Sequence, residues 1–242
     1  MEKITEKAIG QVAAEDFRTC LVFEKCRIDY FNHGKQVLKE AAVGVGLESS
    51  VLIRDIEKAK ESTPEADTDF NSWDLDKLAE YIVKVHHKYA DQQIAIIKPH
   101  LEKLLTSGNS NHSGLSEIKS LFGVISGEIA VHQKKEELIL FPYIRKMADA
   151  FRNNKAFVRP PMTKSAERPV DMLTHEHTKQ GEDYKRIVEL TKDYFIPSGA
   201  DEDYKELIKL LKEFEANLHK HLHLENNILF PKAIIMDKEM TV

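Results

Sequence analysis

The chain has 242 residues, 42% of them apolar and 31% charged, with 40 acidic against 35 basic residues and a net charge of −5. No apolar run approaches the roughly 18 residues a membrane span needs, and the opening MEKITEKAIGQ lacks the apolar core of a signal peptide. The expectation is a cytoplasmic globular protein with neither a membrane nor, without a long basic run, a nucleic acid as partner.

Ten glycines and eight prolines are few for this length, and strand-like alternation is scarce, so the sequence predicts an all-α fold. The first element is a small helical unit over residues 1–60. Val12 to Cys26 and Val37 to Ala42 are predicted as helices, with Asn32-His33-Gly34 as the turn between them, and a third helix covers 49–59. Residues 61–72, polar, acidic and carrying Pro64, form the expected linker. From 73 to 242 four long periodic segments follow. The first starts with Asp74 as N-cap and stops at Thr106-Ser107-Gly108-Asn109. The second spans Leu115 to Phe151. Asn153 to Pro169, with its prolines, connects to the third, which runs from Pro169 to Phe195, and the fourth spans Glu202 to Met236. Four such segments, each with one apolar stripe, predict an up-down-up-down bundle.

An internal repeat carries the chemistry. His132-x-x-x-Glu136 and His221-x-x-x-Glu225 each continue to Ile-Leu-Phe-Pro, 89 residues apart, and His87 and His177 precede them at matching distances. Each half then reads as a helical hairpin with a histidine on its first helix and a His/Glu pair on its second. On the second segment the inward stripe is Ile118, Phe122, Ile125, Ile129, His132, Glu136, Ile139 and Tyr143. On the fourth it is Leu207, Leu211, Phe214, Leu218, His221, Glu225 and Ile228. His87, in step with Ile94 and Leu101, is preferred over His86, and His177 lies between Leu173 and Gly181. One buried histidine is ordinarily structural. Four, joined by two carboxylates with no lysine or arginine in the stripes, need compensation, because a bare buried carboxylate costs several kcal/mol. The donor set suits iron or manganese in a dinuclear centre bridged by Glu136 and Glu225. Lys134, Lys135 and Glu137 read as a solvated face. His100, His112, His175, His219 and His223 fall off the stripes and read as surface residues, and Phe141-Pro142 and Phe230-Pro231 are expected to bend the helix ends.

These paired motifs resemble the hemerythrin-like bundle. Val22-Phe23-Glu24-Lys25, Ile28-Asp29-Tyr30, Gly34-Lys35, Glu176-His177-x-x-x-Gly181 and Leu224-Glu225-Asn226-Asn227 extend the likeness to nearly the whole chain. It resembles the iron-sulfur cluster repair di-iron proteins, also called regulators of cell morphogenesis and nitric-oxide signalling. The resemblance implies a small helical N-terminal domain before a di-iron four-helix bundle. It implies two iron ions, oxo- or hydroxo-bridged, on His87, His132, Glu136, His177, His221 and Glu225. Glu128 and Glu176 match carboxylates near the family's ligands, with an outer hydrogen-bonding or proton-path role or a plain solvated one. The implied function is repair or protection of iron-sulfur clusters under oxidative or nitrosative stress, by iron donation or nitric oxide binding. The implied partners are damaged iron-sulfur proteins and a diatomic ligand, nitric oxide or oxygen, and a homodimer is left open. The alternatives are an oxygen or nitric oxide sensor or carrier, and a di-iron nitric oxide reductase. One departure stands out. The family's cysteines in the N-terminal turn are replaced here by Phe31 and Asn32, while Cys20 and Cys26 lie elsewhere and read as core filler.

Overall fold

A computed structural model describes residues 4–61, 69–106, 114–160 and 163–240. Most of the expected linker, the stop at Ser107-Gly108-Asn109 and His112 therefore lie outside the described residues. The protein is all-α. The described residues contain no strand beyond a single antiparallel bridge of Ala8 with Val37. Its helices are α1 (Ile9–Glu15), α2 (Thr19–Lys25), α3 (Leu38–Gly44), α4 (Ser49–Glu61), α5 (Leu75–Tyr81), α6 (Lys88–Thr106), α7 (Leu115–Lys135), α8 (Phe141–Arg152), α9 (Glu167–Leu190), α10 (Glu202–His223) and α11 (Phe230–Glu239). The chain divides into two compact units. One comprises 1–78, 147–157 and 222–242; the other comprises 79–146 and 158–221.

In the first unit the predicted helix from Val12 to Cys26 is two helices. Asp16 is extended (φ −152°), and its carboxylate accepts from the Arg18 backbone N–H (3.1 Å) and guanidinium (2.7 Å), while the Thr19 hydroxyl donates to the Asp16 carbonyl (2.7 Å). This local bonding competes with the helical ladder and breaks it. Burial works against ionisation of Asp16, but the Arg18 hydrogen bonds outweigh it and hold its carboxyl below the ordinary range. Phe23 stacks on Tyr30 at 5.6 Å, and Leu38, Leu52 and Ile56 complete an apolar core. Cys20 is within that core and Cys26 is half-buried.

The second unit buries the predicted stripes. Phe122 meets Phe214 edge-on at 5.4 Å, Tyr184 stacks on Phe214 at 5.8 Å, and the Tyr184 hydroxyl donates to the Leu211 carbonyl (2.7 Å). Here α9 stops at Leu190 rather than Phe195. Lys192, Asp193 and Tyr194 all take left-handed conformations (φ 49°, 61° and 59°), a stop made without glycine and so without its usual sequence sign. The long segments are also not uniformly α-helical. Residues Ile82–His87, Glu136–Leu140 and Leu224–Leu229 are π-helical. Two of these end just before Phe141-Pro142 and Phe230-Pro231. The wider turn accommodates a ring that would clash with the carbonyl four residues back, so the chain answers its prolines with π turns. A π turn holds an extra residue, and the inward position moves from the expected Ile139, which is 49% exposed, to Leu140, which is fully buried.

Candidate metal centre

Each π-helical segment contains or begins at a predicted ligand: His87 ends the first, Glu136 begins the second and Glu225 is the second residue of the third. Within the second unit His87, His132, Glu136, His177 and His221 are all buried. Each offers one donor atom to one of two groups: His87, Glu136 and His221, or His132, Glu136 and His177, with the atoms of a group within 4.8 Å of one another. Glu136 is shared. Glu225 is fully buried one helical turn beyond His221.

The hydrogen bonds fix which ring nitrogen faces inward. The Glu137 carboxylate lies 2.9 Å from His87 Nδ1, and the Glu176 carboxylate 2.9 Å from His132 Nδ1. A carboxylate can only accept, so each Nδ1 carries a proton, and in the neutral ring each Nε2 is the free donor atom. Those Nε2 atoms meet the other two rings: His87 Nε2 is 3.2 Å from His221 Nε2, and His132 Nε2 is 2.8 Å from His177 Nε2. Glu136 Oε2 and Oε1 lie 3.3 and 3.2 Å from the Nε2 atoms of His87 and His132, and neither oxygen has a hydrogen bond. A buried carboxylate with no hydrogen bond, ringed by neutral imidazoles, is costly unless cations lie among them. The residues therefore fit a pair of metal ions, with nitrogen and oxygen donors of the kind that hold iron, manganese or zinc.

Glu137 corrects the sequence reading, which assigned it to the solvated face. It is the orienting partner of His87 and also accepts from Lys134 (2.6 Å). Glu176 has the matching arrangement with His132 and Lys135. For both carboxyls burial pushes the pKa upward, but the lysine and histidine hydrogen bonds outweigh it and leave them below the ordinary range. Glu128 makes no such contact. It sits at the surface, paired with Lys179 at 2.6 Å. His86 is buried beside His87 but turns to Asn217 Oδ1 (3.2 Å) and stacks on His221 at 5.7 Å.

His223 is the second correction, being fully buried rather than exposed. Of the other predicted surface histidines, His175 is exposed, while His100 and His219 are half-buried and the His100 ring donates to the Asp203 carbonyl (2.7 Å). The ring of His223 packs against Tyr30 and Phe17 in the first unit, and burial lowers its pKa to about 3, so it is neutral. Asn227 Nδ2 donates to the Tyr30 carbonyl (2.9 Å) and to His223 Nδ1 (2.9 Å), and Asn226 Nδ2 donates to the Phe31 carbonyl (3.0 Å). Two consecutive amides, directly after Glu225, thus clamp the thiol-free N-terminal turn. Gly10 and Gly34 make room for them: a Cβ on either would lie 2.3 or 2.0 Å from Asn227 Oδ1. Only a close approach, not a special φ, requires glycine here.

A helical bundle whose buried layer consists of histidines and glutamates defines a cation-binding bundle. Residues 78–233 match the hemerythrin HHE cation-binding domain, and the chain belongs to that family. Residues 5–60 match a second domain family, ScdA_N, of unknown function. Among individual proteins the chain is similar to the iron-sulfur cluster repair protein YtfE of Pectobacterium carotovorum. They are 28% identical over 229 residues, which is 95% of this chain and 97% of the relative. It is also similar to the protein of the same name from Yersinia pestis, at 26% identity over 94% of this chain and 96% of the relative. Homology to iron-sulfur cluster repair proteins therefore runs through both matched domains. No helix among the described residues is long and apolar enough to cross a membrane.

Proposed function

We propose that the chain is a di-iron protein that repairs or protects iron-sulfur clusters damaged by oxidative or nitrosative stress. The observation that carries this reading is the pair of His/Glu groups sharing Glu136, in a chain similar over nearly its whole length to cluster repair proteins. His87 and His221 would hold one iron and His132 and His177 the other. Glu136 would bridge them, with Glu225, one turn beyond His221, as the second bridge. Iron, once bound, would offer coordination positions to a diatomic ligand such as nitric oxide or oxygen, and would itself be the cargo in donation to a damaged cluster. The protein's own residues hold this chemistry in place. Glu137 and Glu176 keep Nδ1 of His87 and His132 protonated and their rings aimed inward. Buried Gly181, one turn after His177, adds no further donor. A damaged iron-sulfur protein is the partner in this reading, and the cytoplasm its place of action.

The test is cluster restoration. Iron-loaded protein is incubated with an iron-sulfur enzyme inactivated by nitric oxide, and activity and cluster absorbance are followed. Recovery that is stoichiometric in loaded protein and absent with metal-free protein supports repair by donation. No recovery beyond that from free ferrous iron refutes it. A stable reversible oxygen adduct without recovery would favour the sensor or carrier reading, and multiple turnover of nitric oxide with a reductant would favour the reductase.

A further inference from the structure

The two copies of the internal repeat part company around their glutamates. Beside Glu136 the first copy has Lys134, Glu137 and Leu138; at the matching places beside Glu225 the second has His223, Asn226 and Asn227. Lys134 and Glu137 pair with each other at 2.6 Å, and Leu138 is 72% exposed. The three residues of the second copy all meet the N-terminal segment instead. Asn226 Nδ2 donates to the Phe31 carbonyl (3.0 Å), Asn227 Nδ2 donates to the Tyr30 carbonyl (2.9 Å), and the His223 ring lies 5.4 Å from that of Tyr30. The repeat alone does not call for these side chains; the N-terminal turn does.

Their placement brackets Glu225. Asn227 Nδ2 also donates to His223 Nδ1 (2.9 Å), which ties together two residues one turn apart, and the fully buried Glu225 is midway between them in sequence. The bonds admit one orientation, since Asn227 turned over would set its oxygen against the Tyr30 carbonyl. Leu224–Leu229 is π-helical. A π turn is bonded over five residues rather than four and is seldom stable by itself, so the direction of its side chains is held by outside contacts. One anchor would let the segment roll about its axis. Two consecutive amides, bonded to the carbonyls of two consecutive residues, fix its rotation and its depth together.

We propose that the N-terminal turn, residues 30–34, is a positioning element for Glu225, acting through His223, Asn226 and Asn227. The turn holds the π segment at one rotation, and with it the direction in which the Glu225 carboxylate is presented. This gives the domain at residues 5–60, whose family has no known function, a part in building the metal centre. The inference rests on the reading of Glu225 as the second bridging carboxylate. The first copy of the repeat lacks the three residues, so the device acts on one bridge and not on Glu136.

Iron affinity of the full chain, read by competition with a chelator at a temperature where circular dichroism shows every variant folded, tests this. Asn226→Ala and Asn227→Ala each weaken iron binding about tenfold. Gly34→Ala, which displaces the Asn227 side chain from the far side of the contact, does the same in wild type and nothing more once residue 227 is alanine. Leu52→Ala separates positioning from stability. It removes a fully buried side chain from the same unit away from the clamp, so it lowers the unfolding midpoint and leaves iron affinity unchanged. Glu225→Ala checks the underlying reading by losing iron. If Glu225→Ala loses iron while the clamp variants bind it as wild type does, the positioning role is overturned and the bridge stands. If Leu52→Ala loses iron as the clamp variants do, the clamp is only structural and the proposal falls. A Glu225→Ala protein with its full iron overturns the bridge and the positioning role with it.

Discussion

Replacing Gly34 by alanine perturbs the N-terminal turn at a single methyl group, and the structure sets the size of the effect. The added Cβ would stand 2.0 Å from Asn227 Oδ1, closer than real contacts allow, and 3.1 Å from the Tyr30 carbonyl oxygen, a tight contact that a shift of a few tenths of an ångström relieves. The turn is held by backbone bonds, Gly10 N–H to the Gly34 carbonyl among them (2.9 Å), so the Asn227 side chain is the part that yields. Its displacement breaks the bonds to the Tyr30 carbonyl and to His223 Nδ1, and His223 is fully buried. Two lost hydrogen bonds, one leaving a buried ring nitrogen unsatisfied, cost about 3 kcal/mol. Urea unfolding of the full chain, followed by circular dichroism, measures this. In an Asn227→Ala background the obstacle is already gone, and Gly34→Ala is expected to cost less than about 0.5 kcal/mol, so the two substitutions couple strongly. An equal cost in both backgrounds, or a small cost in wild type, would refute the clamp.

Three further outcomes are expected. Glu137→Ala removes the partner of His87 Nδ1 and should weaken iron binding by about 10- to 100-fold, with Glu137→Gln milder, as read by competition with a chelator. Replacing His87 should reduce iron content more than replacing His86, whose ring faces Asn217; metal analysis of the two purified variants decides the order. Leu140→Ala should destabilise by about 2–5 kcal/mol and Ile139→Ala by less than about 0.5 kcal/mol in thermal or urea unfolding, the reverse of what uninterrupted α-helical spacing gives.

Much of the bundle was legible because its signal is long-range and repeated. Ile118, Phe122, Ile125 and Ile129 on one stripe and Leu207, Leu211 and Phe214 on another are buried as their spacing demands. Of the duplicated His-x-x-x-Glu motif, His132, Glu136 and His221 are buried within one unit. What spacing could not show are local departures from it. The π turn at Glu136–Leu140 moves the inward position by one residue, and nothing but the following proline hints at it. The end of α9 uses three non-glycine residues in the left-handed region, for which composition gives no sign. Glu137 and His223 were misplaced for a related reason. Each lies beside the predicted stripe, and its role comes from a residue distant in sequence: His87 for Glu137, the Tyr30 turn for His223. The Asn226-Asn227 pair directly after Glu225 was the available clue, since adjacent amides at a buried helix face need carbonyl partners.

The most direct test of the centre is the metal content of protein produced in iron-replete cells, measured with its optical spectrum for wild type and Glu136→Ala. Two irons per chain in wild type and a clear loss in the variant are expected, because Glu136 is the carboxylate common to both donor groups. A wild type that carries no metal, or a variant that keeps its full complement, would contradict the assignment.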